Sequence, residues 1–289
     1  ANGLLFSASA GNSGPGADTV AHREPWTITV GASTQDRSFT GMLTVTDGTD
    51  TLELDGVSLT GDYTGEIVLA ADYGDALCLE PFPADTFDGE IVVCERGLIA
   101  RVAKSFNVAE GGAGGLILYN PVPQSLVPDI HYIPSIHIQN DAGATLLDFI
   151  ANAADTVTGT IDGGIVQPSQ GLVMADFSSR GGSNQTLGIS KPDVTAPGVE
   201  ILAGHTPFPS SIAGGAPGNL FQVIQGTSMS APHVTGSALL LKDMYPDWTP
   251  GQIKSALMTT SFVDGLVKED GVTPVDNFDA GSGHIDLTR

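Results

Sequence analysis

Basic residues are scarce in this chain: 11 Lys and Arg stand against 33 Asp and Glu, a formal net charge of −22 at pH 7. Nucleic acids and anionic membranes are bound through clustered Lys and Arg, so neither is expected as a partner. The acidity reads instead as a solvated, soluble surface. Long hydrophobic runs are also missing. None approaches the roughly 20 apolar residues that span a bilayer, and no charged-then-apolar leader opens the chain. Position 1 is not Met, and Ala1 to Ala8 enters a strand-like run at once; a processed or cut chain is expected. Cysteine is reduced to Cys78 and Cys94, 16 positions apart. Two thiols at that spacing do not make a CxxC-type zinc site. One disulfide in a secreted protein and two buried free thiols both remain open.

The 289 residues are 41% hydrophobic, enough for a buried core in one large domain or two medium ones and too much for an ordinary disordered chain. The 37 Gly and 18 Pro announce tight turns, without a repeat or a low-complexity tract. Three textures follow one another, with boundaries at 1–45, 46–168 and 169–289. The first reads strand, turn, strand, with the turn at Ser9 to Pro15 and the second strand at Trp26 to Val30. The middle one is strand-rich, with apolar runs Glu66–Ala70, Glu90–Val93 and Gly115–Tyr119. Helical spacing appears in it at Ile99–Glu110 and Asp141–Ala151. That is an α+β module between turn-rich ends, as an inserted domain would be. The last segment predicts a strand at Leu220–Ile224, a long helix from Ser228 to Tyr245 and a second helix from Thr249 to Thr260. Pro250 falls in its first turn, where a missing N–H costs nothing.

The sharpest local feature is Gly226-Thr227-Ser228-Met229-Ser230-Ala231-Pro232-His233. A serine between an apolar strand and a helix sits where orphan N–H groups and the helix dipole favour negative charge. Such a place suits both a nucleophilic oxygen and the oxyanion it creates. Small neighbours, Gly226 and Ala231, let a substrate backbone approach. By itself, however, a serine at a helix start is ordinarily an N-cap. Asn12, in the turn after the first strand, offers an amide donor for an oxyanion; by itself it is an ordinary turn residue.

Joined in order with Pro25–Ala32, Phe177–Gly181, Lys191–Gly198 and Ile253–Met258, the blocks around Asn12 and Ser228 resemble the subtilisin-like serine proteases (subtilases, peptidase family S8). The likeness covers roughly residues 1–40 and 171–289. It implies an α/β fold, a three-layer α/β/α catalytic domain with a mostly parallel sheet, here incomplete because its N-terminal part is missing. It also implies a secreted hydrolase that cleaves protein or peptide substrates. In that reading Ser228 is the nucleophile and Asn12 the oxyanion donor, and Ala10, Gly11, Gly226 and Thr227 line the substrate pocket. Gly182 departs from the Pro that many relatives carry after the Ser-Ser-Arg-Gly run. The middle segment, through Gly89–Gly97 and Gly111–Asn120, resembles a protease-associated (PA) domain. This likeness implies a Cys78–Cys94 disulfide and a surface that contacts substrate or another subunit. Gly111–Gly115 lacks the Lys-Ser/Thr of a phosphate loop and reads as close packing.

The family triad runs Asp, His, Ser in chain order, yet no Asp or His precedes Asn12. The acid and base are therefore missing, and the chain is expected to be a fragment inactive by itself. Local substitutes fit poorly. His233, five positions beyond Ser228, lies about 140° round the helix and is expected to pack and anchor it. His284 would give the Ser…His order of α/β-hydrolases, but their elbow needs Gly where Ser230 stands. His22, His131, His137 and His205 have no acidic or cysteine partner at ligand spacing. Calcium is compatible with the family, but no acidic loop names its ligands. Two rivals remain: a non-catalytic pseudoprotease whose PA domain binds protein or peptide ligands, and the acid-active sedolisin branch. The Ser-Met-Ser-Ala-Pro-His run fits subtilases better than sedolisins.

Overall fold

The computed structural model describes residues 3–184 and 188–289; the first two residues of the opening run lie outside the described residues. In chain order the strands are β1 (Phe6–Ser9), β2 (Thr27–Ser33), β3 (Arg37–Thr46), β4 (Thr51–Val57), β5 (Tyr63–Leu69) and β6 (Ile91–Glu95). They continue with β7 (Gly115–Tyr119), β8 (Ser135–Ile138), β9 (Thr158–Pro168), β10 (Val194–Pro197), β11 (Ile201–Gly204) and β12 (Phe221–Ile224). The helices are α1 (Arg101–Glu110), α2 (Asn140–Asn152), α3 (Thr227–Met244), α4 (Pro250–Thr259) and the short α5 (Asn277–Ala280). Two compact units result: Ala1–Arg37 with Pro168–Ile201 and Ile224–Arg289, and Ser38–Gln167 with Leu202–Val223. Among the described residues no helix is long and apolar enough to cross a membrane.

In the first unit β1 and β10 both pair with β2 in parallel. Every residue of β2 is buried, as expected of a central parallel strand covered on both faces. Alternate residues point one way, so Ile28, Val30, Val194 and Ala196 share a face. They pack there against Ala231, Val234 and Ala238 of α3 and Ile253 and Leu257 of α4. The second helix starts one residue later than the sequence predicts because Thr249 is its N-cap. A capping box joins Thr249 to Gln252, and Pro250 occupies the first turn, satisfying donors that would otherwise be orphaned. The opposite face of β2 carries no second helical layer among the described residues. The loop after Leu172 lies against it, where a Cβ on Gly31 would stand 3.3 Å from Met174 Cε and 3.4 Å from Ser178 Oγ.

A buried charge cluster ties this sheet to its helices. Asp193 Oδ2 accepts from Thr29 N–H at 2.7 Å and from Lys191 Nζ at 2.6 Å. Its Oδ1 pairs with Lys254 Nζ at 2.8 Å, and both ammonium groups also donate to Thr27 O. Buried ions persist only when paired and hydrogen-bonded in this way. Burial draws the Lys191 pKa downward, while Asp193 opposes the shift.

The second unit contains a closed barrel in the order β3-β4-β8-β7-β6-β5-β9. Strands β5, β6, β7 and β8 run parallel to one another, with α1 between β6 and β7 and α2 between β8 and β9, while β3–β4, β4–β8 and β5–β9 are antiparallel. Leu43, Val45, Ile67, Ile91, Val93, Ile117, Ile136 and Ile161 belong to one buried cluster. Cys78 and Cys94 form a disulfide and lie in a second cluster with Val92, Leu116 and Leu118. Residues 202–223 join this unit, and Tyr132 Oη donates to Gly215 O at 2.9 Å.

Candidate active site

Ser228 is the second residue of α3, and Gly226 is the N-cap with no side-chain capping bond. The serine is therefore not performing the capping role that a serine at a helix start ordinarily has. Its side chain is exposed, and among the described residues neither its Oγ nor its N–H has a hydrogen-bond partner. Four residues on, Pro232 lacks the N–H that would close onto the Ser228 carbonyl. An unpartnered hydroxyl is thus presented at the positive end of an 18-residue helix.

Asn12 reaches the same place from the turn that ends β1. Its Oδ1 accepts from Thr227 N–H at 3.0 Å and from Thr227 Oγ1–H at 2.8 Å. Its Nδ2 makes no hydrogen bond among the described residues and lies over Gly226, where an added Cβ would stand 3.4 Å away. The turn itself needs glycine at position 11. Gly11 has φ +105°, and a Cβ there would come within 2.9 Å of Ser179 Oγ. Ser179 holds both flanks of Asn12: its N–H donates to Gly11 O at 2.9 Å, and its Oγ accepts from Ser13 N–H at 3.0 Å. Nearby, a Cβ on Gly182 would meet Asp18 Oδ1 at 2.4 Å, so a larger residue there requires the Asp18 carboxylate to shift.

The structure thus brings Ser228, Asn12, Thr227, Gly226 and Gly11 together. Of the four residues expected to line the pocket, Ala10 and Thr227 are fully buried, Gly226 is buried, and Gly11 is half-buried. The bracing roles of Ser179 and the Thr227 hydroxyl were not read from the sequence. Their only trace there is small hydroxyl residues in two blocks separated by about 50 positions.

The histidines lie elsewhere. His233 is exposed rather than packed, and its Nδ1 bonds Met229 O one turn back at 2.8 Å. His284 bonds the Ile285 carbonyl through Nδ1 at 2.8 Å. Burial lowers its pKa, with a further contribution from His233. These two rings share a groove of about 670 Å³ with Phe262, Leu240 and Asp286, and Ser228 is not part of its lining. The Ser228–His284 alternative therefore has no contact to support it. Among the described residues no group of three or more His, Cys, Asp or Glu converges as metal ligands would.

A family model described as the subtilase family, peptidase S8, matches residues 1–283. Subtilisin-like protease SBT1.4 of Arabidopsis thaliana is 40% identical over 304 residues, covering 100% of this chain and 39% of the relative. Subtilisin-like protease SBT1.7 of the same plant is 38% identical over 310 residues, covering 99% and 40%. The chain thus spans about two fifths of the length of these relatives. Among solved structures, the psychrophilic subtilisin-like protease Apa1 from Pseudoalteromonas sp. AS-11 aligns over 99% of this chain and 63% of its own. Its identity is 15% and its TM-score 0.33.

Proposed function

Because the chain belongs to the subtilase family, we propose that it is the nucleophile-bearing part of a secreted serine endopeptidase. The observation that carries this reading is the pairing of an unengaged Ser228 with an Asn12 whose Oδ1 is already committed. Ser228 Oγ attacks the carbonyl carbon of a substrate peptide as its proton passes to a histidine. The carbonyl oxygen becomes an oxyanion, received by Asn12 Nδ2–H and the Ser228 N–H at the helix N-terminus. The amine leaves with that proton, and water then hydrolyses the acyl-enzyme. Gly11 and Gly226 border the substrate, while Ala10 and Thr227 shape them from beneath. In subtilisin itself, loss of the Asn donor costs about 10²–10³ in turnover, and loss of Ser or His costs about 10⁶.

No His in this chain is placed to serve Ser228, so the chain by itself is inactive in this reading, and an Asp- and His-bearing segment must supply the acid and base. The barrel unit, Ser38–Gln167 with Leu202–Val223, is assigned to the inserted PA domain read from the sequence as 46–168 between catalytic parts 1–45 and 169–289, with β3 moving its start to about residue 38. Its self-contained core supports that assignment, and its role is to contact substrate or another subunit. The Cys78–Cys94 disulfide supports an extracellular setting.

A fluorophosphonate serine-hydrolase probe, read by intact mass, tests the reading. The chain by itself should take no label. Combined with an Asp- and His-bearing subtilase segment, it should take one label, lost in Ser228→Ala. Label on the unaided chain that disappears in Ser228→Ala would overturn the missing-base reading. Failure to label in any assembly would favour a non-catalytic binding role.

A further inference from the structure

We propose that Arg180 is a positioning residue for the turn that carries Asn12: its buried guanidinium anchors the 175–181 loop, and that loop grips both flanks of Asn12. This rests on reading Asn12 as the oxyanion donor. Residues 11–20 lie along 177–181 and take backbone partners from it. Ser179 N–H donates to Gly11 O at 2.9 Å, and Gly14 N–H to Phe177 O at 2.8 Å. Ser179 Oγ accepts from Ser13 N–H at 3.0 Å. Thr19 N–H and Val20 N–H both donate to Arg180 O, at 3.0 and 3.1 Å, and Arg180 N–H donates to Thr19 Oγ1 at 2.9 Å. The backbone on both sides of Asn12 therefore follows the loop.

The loop in turn is held from within by Arg180, which is 3% exposed. Its Nη2 donates to Glu269 Oε2 at 2.8 Å and to Ala175 O at 3.2 Å, so one nitrogen ties the start of the loop to a carboxylate. Nε stands 3.6 Å from Asp279 Oδ1. Asp279 is itself fixed by Lys268 Nζ at 3.0 Å and Asp276 N–H at 2.8 Å. Stability alone is a poor reason for this charge. Well-packed apolar side chains commonly match or exceed a buried ion pair, and among the described residues Arg180 Nε and Nη1 are buried without a hydrogen bond, each at a cost. What the guanidinium supplies is direction. A planar fork tied to a carboxylate and a carbonyl fixes the loop in a way that a Lys point charge does not. Ser179 is the next residue, so a shift at Arg180 reaches Asn12 through one peptide unit and the two bonds of Ser179. Buried as it is, Arg180 acts through Asn12 and not on substrate.

Nitrogen-15 NMR of this chain tests the anchor. Arg180→Met keeps the bulk, and Arg180→Lys keeps the charge without the fork. Both should retain the dispersed amide signals of β2, while the Gly11, Ser13 and Ser179 N–H signals and the Asn12 side-chain pair shift or broaden. Those signals unchanged in both folded variants overturn the proposal. Should neither variant fold, Glu269→Ala decides instead, because it removes the carboxylate at a side chain that is 36% exposed and leaves Arg180 in place. The same signals should move in it, and their constancy overturns the proposal.

A second readout excludes a merely structural role. In an assembly supplied with the Asp- and His-bearing segment, the fluorophosphonate probe counts the competent sites, so that lost stability does not enter the rate. Per labelled site, Arg180→Met should lower kcat by about 10- to 100-fold, as small misplacements of a catalytic group do, with KM held. A rise in KM with kcat intact overturns the positioning role, as does an unchanged kcat with Asn12 in place. If Asn12 is displaced and kcat is still unchanged, Arg180 stands as the anchor of the turn and the oxyanion role of Asn12 falls. The NMR outcome does not depend on catalysis, so the two readings fail separately.

Discussion

At the scale of single residues, the site depends on groups that lack a partner as much as on those that have one. Ser228 Oγ and Asn12 Nδ2 are left open while Asn12 Oδ1 and the backbone on either side of Asn12 are held by neighbours. Two residue-level predictions follow from the surrounding bonds. Replacing Asp193 with Asn would take the carboxylate from the buried Lys191 and the half-buried Lys254, and should destabilise the sheet unit by about 3–5 kcal/mol. Urea titration read by amide exchange of β2 measures it. Gly11→Ala meets both a positive φ and a 2.9 Å approach to Ser179 Oγ, and should cost about 1–3 kcal/mol. The same titration should show that loss together with a displaced Asn12 amide resonance.

At the scale of elements, the sequence pattern carried furthest where a strand is buried on both faces, as β6 and β7 are, or where a helix has one apolar face. The apolar runs at 66–70, 90–93 and 115–119 are β5, β6 and β7, and the helical spacings are α1 and α2. Strands β3, β4, β8 and β9 escaped. β3 and β4 form a threonine-rich hairpin, β8 is four residues long, and β9 is interrupted by Gly163-Gly164. Their strand character comes from barrel partners rather than from local pattern.

The barrel also contains two buried histidines. Burial pushes His131 down to about 4 against the pull of Asp129, and His137 falls well below its usual range through burial and the nearby Arg96 and Arg101. Between pH 6.5 and 4 the unfolded chain takes up protons that the folded barrel refuses, so stability contributed by these groups is lost as pH falls. Urea midpoints of the barrel unit should drop over that window, and His131→Gln should flatten part of the slope. Cleaving the Cys78–Cys94 link, which closes a sequence separation of 16, should lower stability by about 3 kcal/mol. Comparison of the Cys78→Ser/Cys94→Ser pair with the parent measures it.

At the scale of the whole molecule, an acidic composition coexists with exposed apolar side chains. Leu4 and Phe6 at the edge strand β1, and Leu239, Leu240 and Met244 on the outer face of α3, are all more than half exposed. Leu4, Leu5, Leu239 and Trp248 also line one apolar groove. Large exposed patches of this kind promote association, opposed here by a net charge of −22. Salt screens that repulsion, so sedimentation should show self-association that increases with NaCl. Leu239→Glu with Leu240→Lys should reduce it.

The sequence by itself determined the family and singled out the two residues proposed for the centre of the chemistry, because turn-forming and small residues at fixed offsets are local requirements. It also determined the main helices, because their apolar faces and caps are written within a few turns. Only the tertiary structure decided how Asn12 is oriented. That orientation rests on Gly11, Ser179 and Thr227, which are brought together from positions up to 216 residues apart, and on hydrogen-bond directions that no local pattern encodes. The barrel closure and the grouping of residues 202–223 with it were likewise decided there, since pairings between distant strands are rewarded only once the chain has folded.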